Sequence, residues 1–121
     1  MKGVVVMTVE ECYNAFGGDY KQAAGRLHSD AIIKKFMLKF PAQCGYDELC
    51  KAIEEEDYKA AFAAAHTLKG VCMNLSFAAL EESSSLLTEA LRNGFFEEVP
   101  GLYVKVQSDY KRTVDAINKI S

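Results

Sequence analysis

Apolar residues return along most of this chain at spacings of three and four, and each run is bracketed by residues that start or stop helices. Thr8-Val9-Glu10-Glu11 has the form of a capping box, and Asp19-Tyr20-Lys21-Gln22 repeats it after the Gly17-Gly18 break, so two short helices are predicted there. Ser29-Asp30 opens a longer amphipathic helix through Ile32, Ile33, Phe36, Met37 and Phe40, which Pro41 is expected to end. A further run from about Tyr46 to Glu54 carries Leu49, Cys50 and Ile53. Asp57 then reads as the N-cap of the next helix. Beyond Asn74-Leu75-Ser76, a stretch with Phe77, Leu80, Leu86, Leu87, Ala90 and Leu91 stops at Asn93-Gly94. Pro100 suits a first helical turn, and Leu102, Val106, Tyr110, Val114 and Ile117 mark a last helix.

Strand signals and internal repeats are lacking, and connections of a few residues force consecutive helices to run back alongside each other. The predicted fold is therefore all-α, an antiparallel four-helix bundle with short additional N-terminal helices. A chain of 121 residues makes one domain, 1–121, with the bundle core at about 29–120. The net charge of −3 argues against a nucleic-acid surface, which needs an excess of clustered Lys and Arg. No apolar run approaches the roughly 20 residues needed to cross a bilayer. The apolar run within 1–7 is too short for a secretory signal, and the four cysteines form no CxxC pair; reduced thiols in the cytoplasm are expected.

The stretch Ala63-Ala64-Ala65-His66-Thr67-Leu68-Lys69-Gly70 holds the most informative chemistry. At about 100° per residue, Ala61, Ala64, Leu68, Val71, Cys72 and Leu75 fall opposite His66 and form the core face. Lys59, Phe62, Ala63, Lys69, Gly70 and Met73 share the face of His66, which should point to solvent because a bundle interior does not accept unpaired lysines. Lys69 and Gly70 stand one turn from the imidazole. Glycine inside a helix is worse than alanine by about 0.5–1 kcal/mol, so something other than helix stability favours Gly70 among these alanines. An exposed imidazole, an ammonium one turn away and a clearing beside both suit a transient phosphoryl group: the ring nitrogen attacks, Lys69 stabilises the added charge and the gap admits a second protein. Phe62 and Met73 flank His66, either as an apolar docking rim or packed sideways on neighbouring helices.

His66-Thr67-Leu68-Lys69-Gly70, with Ala65 before it and Asn74-Leu75 after, resembles the H-x-L-K-G signature of histidine-containing phosphotransfer (HPt) domains. The resemblance extends to Asp19, Tyr20, Arg26 and Leu27, to Phe40 and to Asp57, covering roughly residues 15 to 95. It implies a four-helix bundle in which His66 is phosphorylated, Lys69 stabilises the phosphate and Gly70 gives clearance. It also implies a monomer whose partners are a response-regulator receiver domain and a hybrid sensor kinase. One departure stands at Ser76, where the family usually has glycine; an N-cap role for the following helix accounts for it.

Other features carry less. No glycine-rich phosphate loop is present, so the chain is not expected to bind ATP or to phosphorylate His66 itself. No cofactor or metal is expected. His28 reads as a helix C-terminal residue, Glu54 to Asp57 as a solvated acidic helix start, and Cys44 and Cys50 as packed or half-exposed thiols. The function this reading favours is a phosphoryl carrier between receiver aspartates; the alternative is a helical interaction module of the same fold that binds partners without phosphorylation.

Overall fold

The computed structural model describes residues 6–120, so the start of the N-terminal apolar run lies outside the described residues. Seven α-helices are formed among them: α1 (Val9–Phe16), α2 (Tyr20–Leu27), α3 (Asp30–Gln43), α4 (Tyr46–Glu54), α5 (Tyr58–Leu75), α6 (Ala78–Asn93) and α7 (Val99–Ile117). A 3-10 turn at Phe96–Glu98 leads into α7. The expected starts form as local chemistry dictates. Thr8 Oγ1 accepts from Glu11 N at 3.1 Å while Glu11 Oε1 accepts from Thr8 N at 2.9 Å, and the side chains of Asp19, Ser29 and Asp57 each accept from backbone N–H groups of the first turn that follows.

Pro41 does not end its helix. It lies in the last turn of α3, which continues to Gln43. The ring removes only the N–H that Met37 would have bonded, and so near a terminus one lost bond does not stop propagation. The real break comes at Gly45, whose φ of 84° is open to glycine at little cost. A Cβ there would stand 3.4 Å from Thr67 Cγ2, in ordinary contact with α5, so it is the backbone conformation and not a lack of space that favours glycine.

Broken at that point, α3 and α4 together form one side of the bundle, completed by α5, α6 and α7. Tyr46 of α4 stacks on Tyr110 of α7 with ring centroids 3.6 Å apart, which closes the ring of helices. The core is wider than the expected 29–120. Val9, Cys12, Tyr13 and Phe16 of α1 are buried, and the rings of Phe16, Phe40 and Tyr13 lie 4.8, 4.9 and 5.5 Å from that of Phe77. Helix α1 is therefore part of the hydrophobic core, since its aromatic side chains fill the end of the bundle where α5 turns into α6.

Periodicity misassigned some faces. Ile32 and Phe36 of α3 are 43% and 42% exposed, and Leu86 of α6 is 53% exposed. In their place α6 buries Ser83, Ser84 and Thr88, whose hydroxyls donate to the carbonyls of Leu80, Leu80 and Ser84. A hydroxyl satisfied within its own helix loses little on burial, so these positions accept the core as a small apolar residue would. Asp109 of α7 is also buried, with Oδ1 accepting from Lys105 Nζ at 3.0 Å and Arg112 Nη2 at 3.2 Å.

Candidate functional site

Helix α5 carries the site, and its packing decides what faces out. Ala61, Ala64, Ala65, Leu68, Cys72 and Leu75 are buried, close to the expected core face; Val71 is only half-buried. Their small side chains let α4 and α6 approach α5 closely on both sides, which leaves the opposite ridge clear. On that ridge His66 is exposed, Lys69 and Gly70 are half-buried, and Met73 is 47% exposed. Thr67, beside the histidine, turns its hydroxyl back onto Ala63 O at 3.0 Å.

None of the hydrogen bonds or ion pairs among the described residues engages the side chain of His66 or Lys69. Both ring nitrogens of His66 and the ammonium of Lys69 are thus left to water or to an incoming group. A Cβ built at Gly70 meets no heavy atom within 4 Å, so the glycine is not required by packing. Phe62 settles between the two expected arrangements. It is half-buried against the core, its ring centroid lies 6.0 Å from that of His66, and the Arg92 guanidinium carbon sits 5.0 Å above it. Arg92 is held there by Glu89, with Nε to Oε2 at 3.1 Å.

The C-terminal end of α5 is tied down from a distance in sequence. Arg26 of α2 donates from Nη1 to Met73 O at 2.6 Å and Asn74 O at 3.2 Å, and Tyr13 of α1 donates to Leu75 O at 2.7 Å. These bonds occupy carbonyls that the end of a helix otherwise leaves to water. Ser76 is the C-cap of α5 and not the N-cap of α6, a position taken by Phe77. Its φ of 60° places it in the left-handed region, which explains why glycine would suit this position better than any turn-forming polar residue. Ser76 is held by donating Oγ to Gln22 Oε1 at 2.8 Å and accepting Asp19 N on its carbonyl at 2.8 Å. Gln22 is the residue expected to complete a capping box on Asp19. Only half of that box forms, with Gln22 N donating to Asp19 Oδ1, because the Gln22 side chain faces Ser76 instead.

The remaining candidates take structural places. His28 is the exposed C-cap of α2, at φ 66°, with its N–H on Ala24 O. Asp57 caps α5. Cys44 and Cys72 are buried, and burial pushes the Cys44 thiol up to about 11 and the Cys72 thiol well above its ordinary range, so neither presents a thiolate. Cys50 is half-buried.

The sequence pattern of the Hpt domain matches residues 45–115, more than half of the chain. The chain belongs to the Hpt domain family. As a family, Hpt domains serve phosphotransfer in His–Asp phosphorelays and interact with receiver and kinase domains of two-component systems. The match spans α4 to nearly the end of α7 and leaves α1 to α3 outside it, although those helices supply part of the core and the bonds that hold the α5 terminus. No curated protein matches this Hpt domain chain, and no solved structure does. No helix among the described residues is long and apolar enough to cross a membrane.

Proposed function

We propose that this Hpt domain is a phosphoryl carrier in a His–Asp phosphorelay, with His66 as the residue that accepts and donates the phosphoryl group. The observation that carries the reading is the exposed, unpartnered imidazole with Lys69 at i+3 and bare backbone at Gly70. A nitrogen of the neutral ring attacks the phosphorus of an aspartyl phosphate on a receiver domain. The N–P bond forms as the P–O bond to the aspartate breaks, the carboxylate leaves with its electron pair, and the ring proton passes to solvent. The reverse step returns the group to an aspartate. Such transfers depend on positioning and electrostatics, and Lys69 lies where an ammonium can offset charge on the equatorial oxygens.

The partners on this reading are a response-regulator receiver domain and a hybrid sensor kinase, and the carrier acts as a monomer. A cytoplasmic setting is supported by four cysteines that all stand as free thiols.

Incubation with phosphorylated receiver domains tests the assignment by acid-labile label on the chain. His66→Gln abolishes the label and His28→Gln leaves it intact. Label retained in His66→Gln removes His66 from the role. A chain that binds receivers but never takes label is a non-phosphorylated interaction module of the same fold.

A further inference from the structure

Asp109 is the one charged side chain in the core among the described residues, and only half of its carboxylate is satisfied. Oδ1 accepts from Lys105 Nζ at 3.0 Å and from Arg112 Nη2 at 3.2 Å, whereas Oδ2 has no hydrogen-bond partner and is shut off from bulk water. The side chain is 2% exposed. A buried carboxylate oxygen without a donor is costly, and folded proteins rarely leave one so unless something else comes to satisfy it.

Asp109 also lines a cavity of about 220 Å³ between α6 and α7, with Ala79, Glu82, Ser83 and Leu86 on one wall and Lys105 and Asp109 on the other. None of these residues belongs to α5, so the cavity is independent of the chemistry proposed at His66. A water takes roughly 30 Å³ in the liquid, and one water would leave most of this space empty. Lys105 is the movable part of the wall: its side chain is 62% exposed, and a shift of that flexible stem opens the way from the cavity to Oδ2.

The polar groups on the walls select the guest. Ser83 donates its only hydroxyl proton to Leu80 O at 3.3 Å and keeps its lone pairs. The carboxylate of exposed Glu82 is engaged by no hydrogen bond or ion pair among the described residues. With Asp109 Oδ2 these make three acceptors, and the one side-chain donor besides the spent Ser83 hydroxyl, Lys105 Nζ, is already on Oδ1. Such walls repel an anion. A calcium or magnesium ion needs about six oxygen ligands, and among the described residues no group of three His, Cys, Asp or Glu side chains could hold a metal ion. A guanidinium spreads five donors in a plane and would leave some of them unpaired here, whereas an ammonium brings three. Ala79 and Leu86, the latter 53% exposed, offer apolar surface to a short alkyl stem.

We propose that the cavity between α6 and α7 is a binding site for a primary alkylammonium group, which donates its N–H groups to Asp109, Glu82 and Ser83 and lays its stem on Ala79 and Leu86. Glu82 balances the charge added beside Lys105 and Arg112. A free small amine and the side chain of a protein lysine both carry this group.

The test titrates the full, isotope-labelled chain with butylammonium chloride at constant ionic strength and follows the backbone amides by NMR. Saturable shifts should gather at Glu82, Ser83, Leu86 and Asp109. Tetramethylammonium, equal in charge and without N–H groups, should produce none there. Glu82→Gln, at an exposed position, and Ser83→Ala, which removes one acceptor from a small side chain, should each weaken binding severalfold, and Asp109→Asn should abolish it. Glu97→Gln, outside the cavity, should leave binding unchanged. Circular dichroism checks folding, and should Asp109→Asn fail to fold, Glu82→Gln and Ser83→Ala decide. Shifts that do not saturate or that spread over the acidic turn from Glu54 to Asp57, an equal response to tetramethylammonium, or wild-type affinity in both Glu82→Gln and Ser83→Ala overturns the proposal and leaves the cavity to water. Nα-acetyl-lysine N-methylamide then separates the two sources: affinity matching that of butylammonium supports a lysine side chain of a partner protein as the guest, and weaker binding supports a free amine.

Discussion

The two faces of α5 are built from different residue types and obey opposite rules. On the inner face Ala61, Ala64, Ala65, Leu68, Cys72 and Leu75 are all buried, and what matters there is volume. On the outer ridge His66, Lys69, Gly70 and Met73 are wholly or partly exposed, and no packing constraint explains a histidine, a lysine and a glycine in that order. On the proposed role of His66, one helix separates stability from chemistry by half a turn. Changes to the inner face should move folding with the chemistry intact, and changes to the ridge should do the reverse.

The sharpest break would come at Leu68, which is fully buried between Thr67 and Lys69. Leu68→Ala should destabilise the domain by about 2–5 kcal/mol, read from denaturant unfolding, while the folded fraction still takes label on His66. A loss of labelling in protein that remains folded would show that the two faces are not separable.

Gly70→Gln tests the ridge in the opposite sense. The new side chain enters open space, so stability should hold or rise by a sizeable fraction of a kcal/mol. Receiver-dependent transfer should fall by about a hundredfold, since misplacement of the reacting groups by about 1 Å has that effect. Labelling by phosphoramidate, a small donor, should survive better. Near-normal transfer from a receiver would mean that Gly70 is not a clearance position.

Lys69→Ala should slow transfer by about tenfold, the loss of one charge-stabilising group, and leave the melting temperature nearly unchanged because a half-exposed lysine without an ion-pair partner contributes little to folding. Equal rates for variant and wild type would remove Lys69 from the site. The smallest effect is expected at Ser76, where the strain of a left-handed serine and its bond to Gln22 act in opposite directions. Ser76→Gly loses the bond and relieves the strain, whereas Ser76→Ala loses the bond and keeps the strain. The alanine variant should be the less stable by about 1 kcal/mol in thermal unfolding. Equal stability would show that left-handed geometry is not what this position selects.

Much of this was legible in the chain because it depends on neighbours within a turn. A hydroxyl or carboxylate before a helix either reaches the N–H three residues on or does not, so Thr8, Asp19, Ser29 and Asp57 could be read directly. The ridge of α5 was legible for the same reason: residues at 62, 66, 69, 70 and 73 share a face in any α-helix. The conformation of Ser76 was not, because a left-handed serine is stabilised by Gln22 and Asp19, more than 50 residues away. Pro41 misled because a proline in a last turn removes one bond without ending the helix.

By itself, then, the sequence determined that the chain forms helices, where most of them start, and which residues stand together around His66. Which apolar faces are buried was decided only by tertiary structure. Ile32 and Phe36 carry the same helical pattern as Ile33 and Met37, yet the first two are exposed and the second two are at 0% exposure. In the other direction, Ser83, Ser84 and Thr88 lie in the core, and α1 joins it from outside the expected boundary. Periodicity gives the direction of a side chain relative to its own helix axis. Burial depends on which other helix lies across from it, and that is set by the packing of elements brought together from opposite ends of the chain.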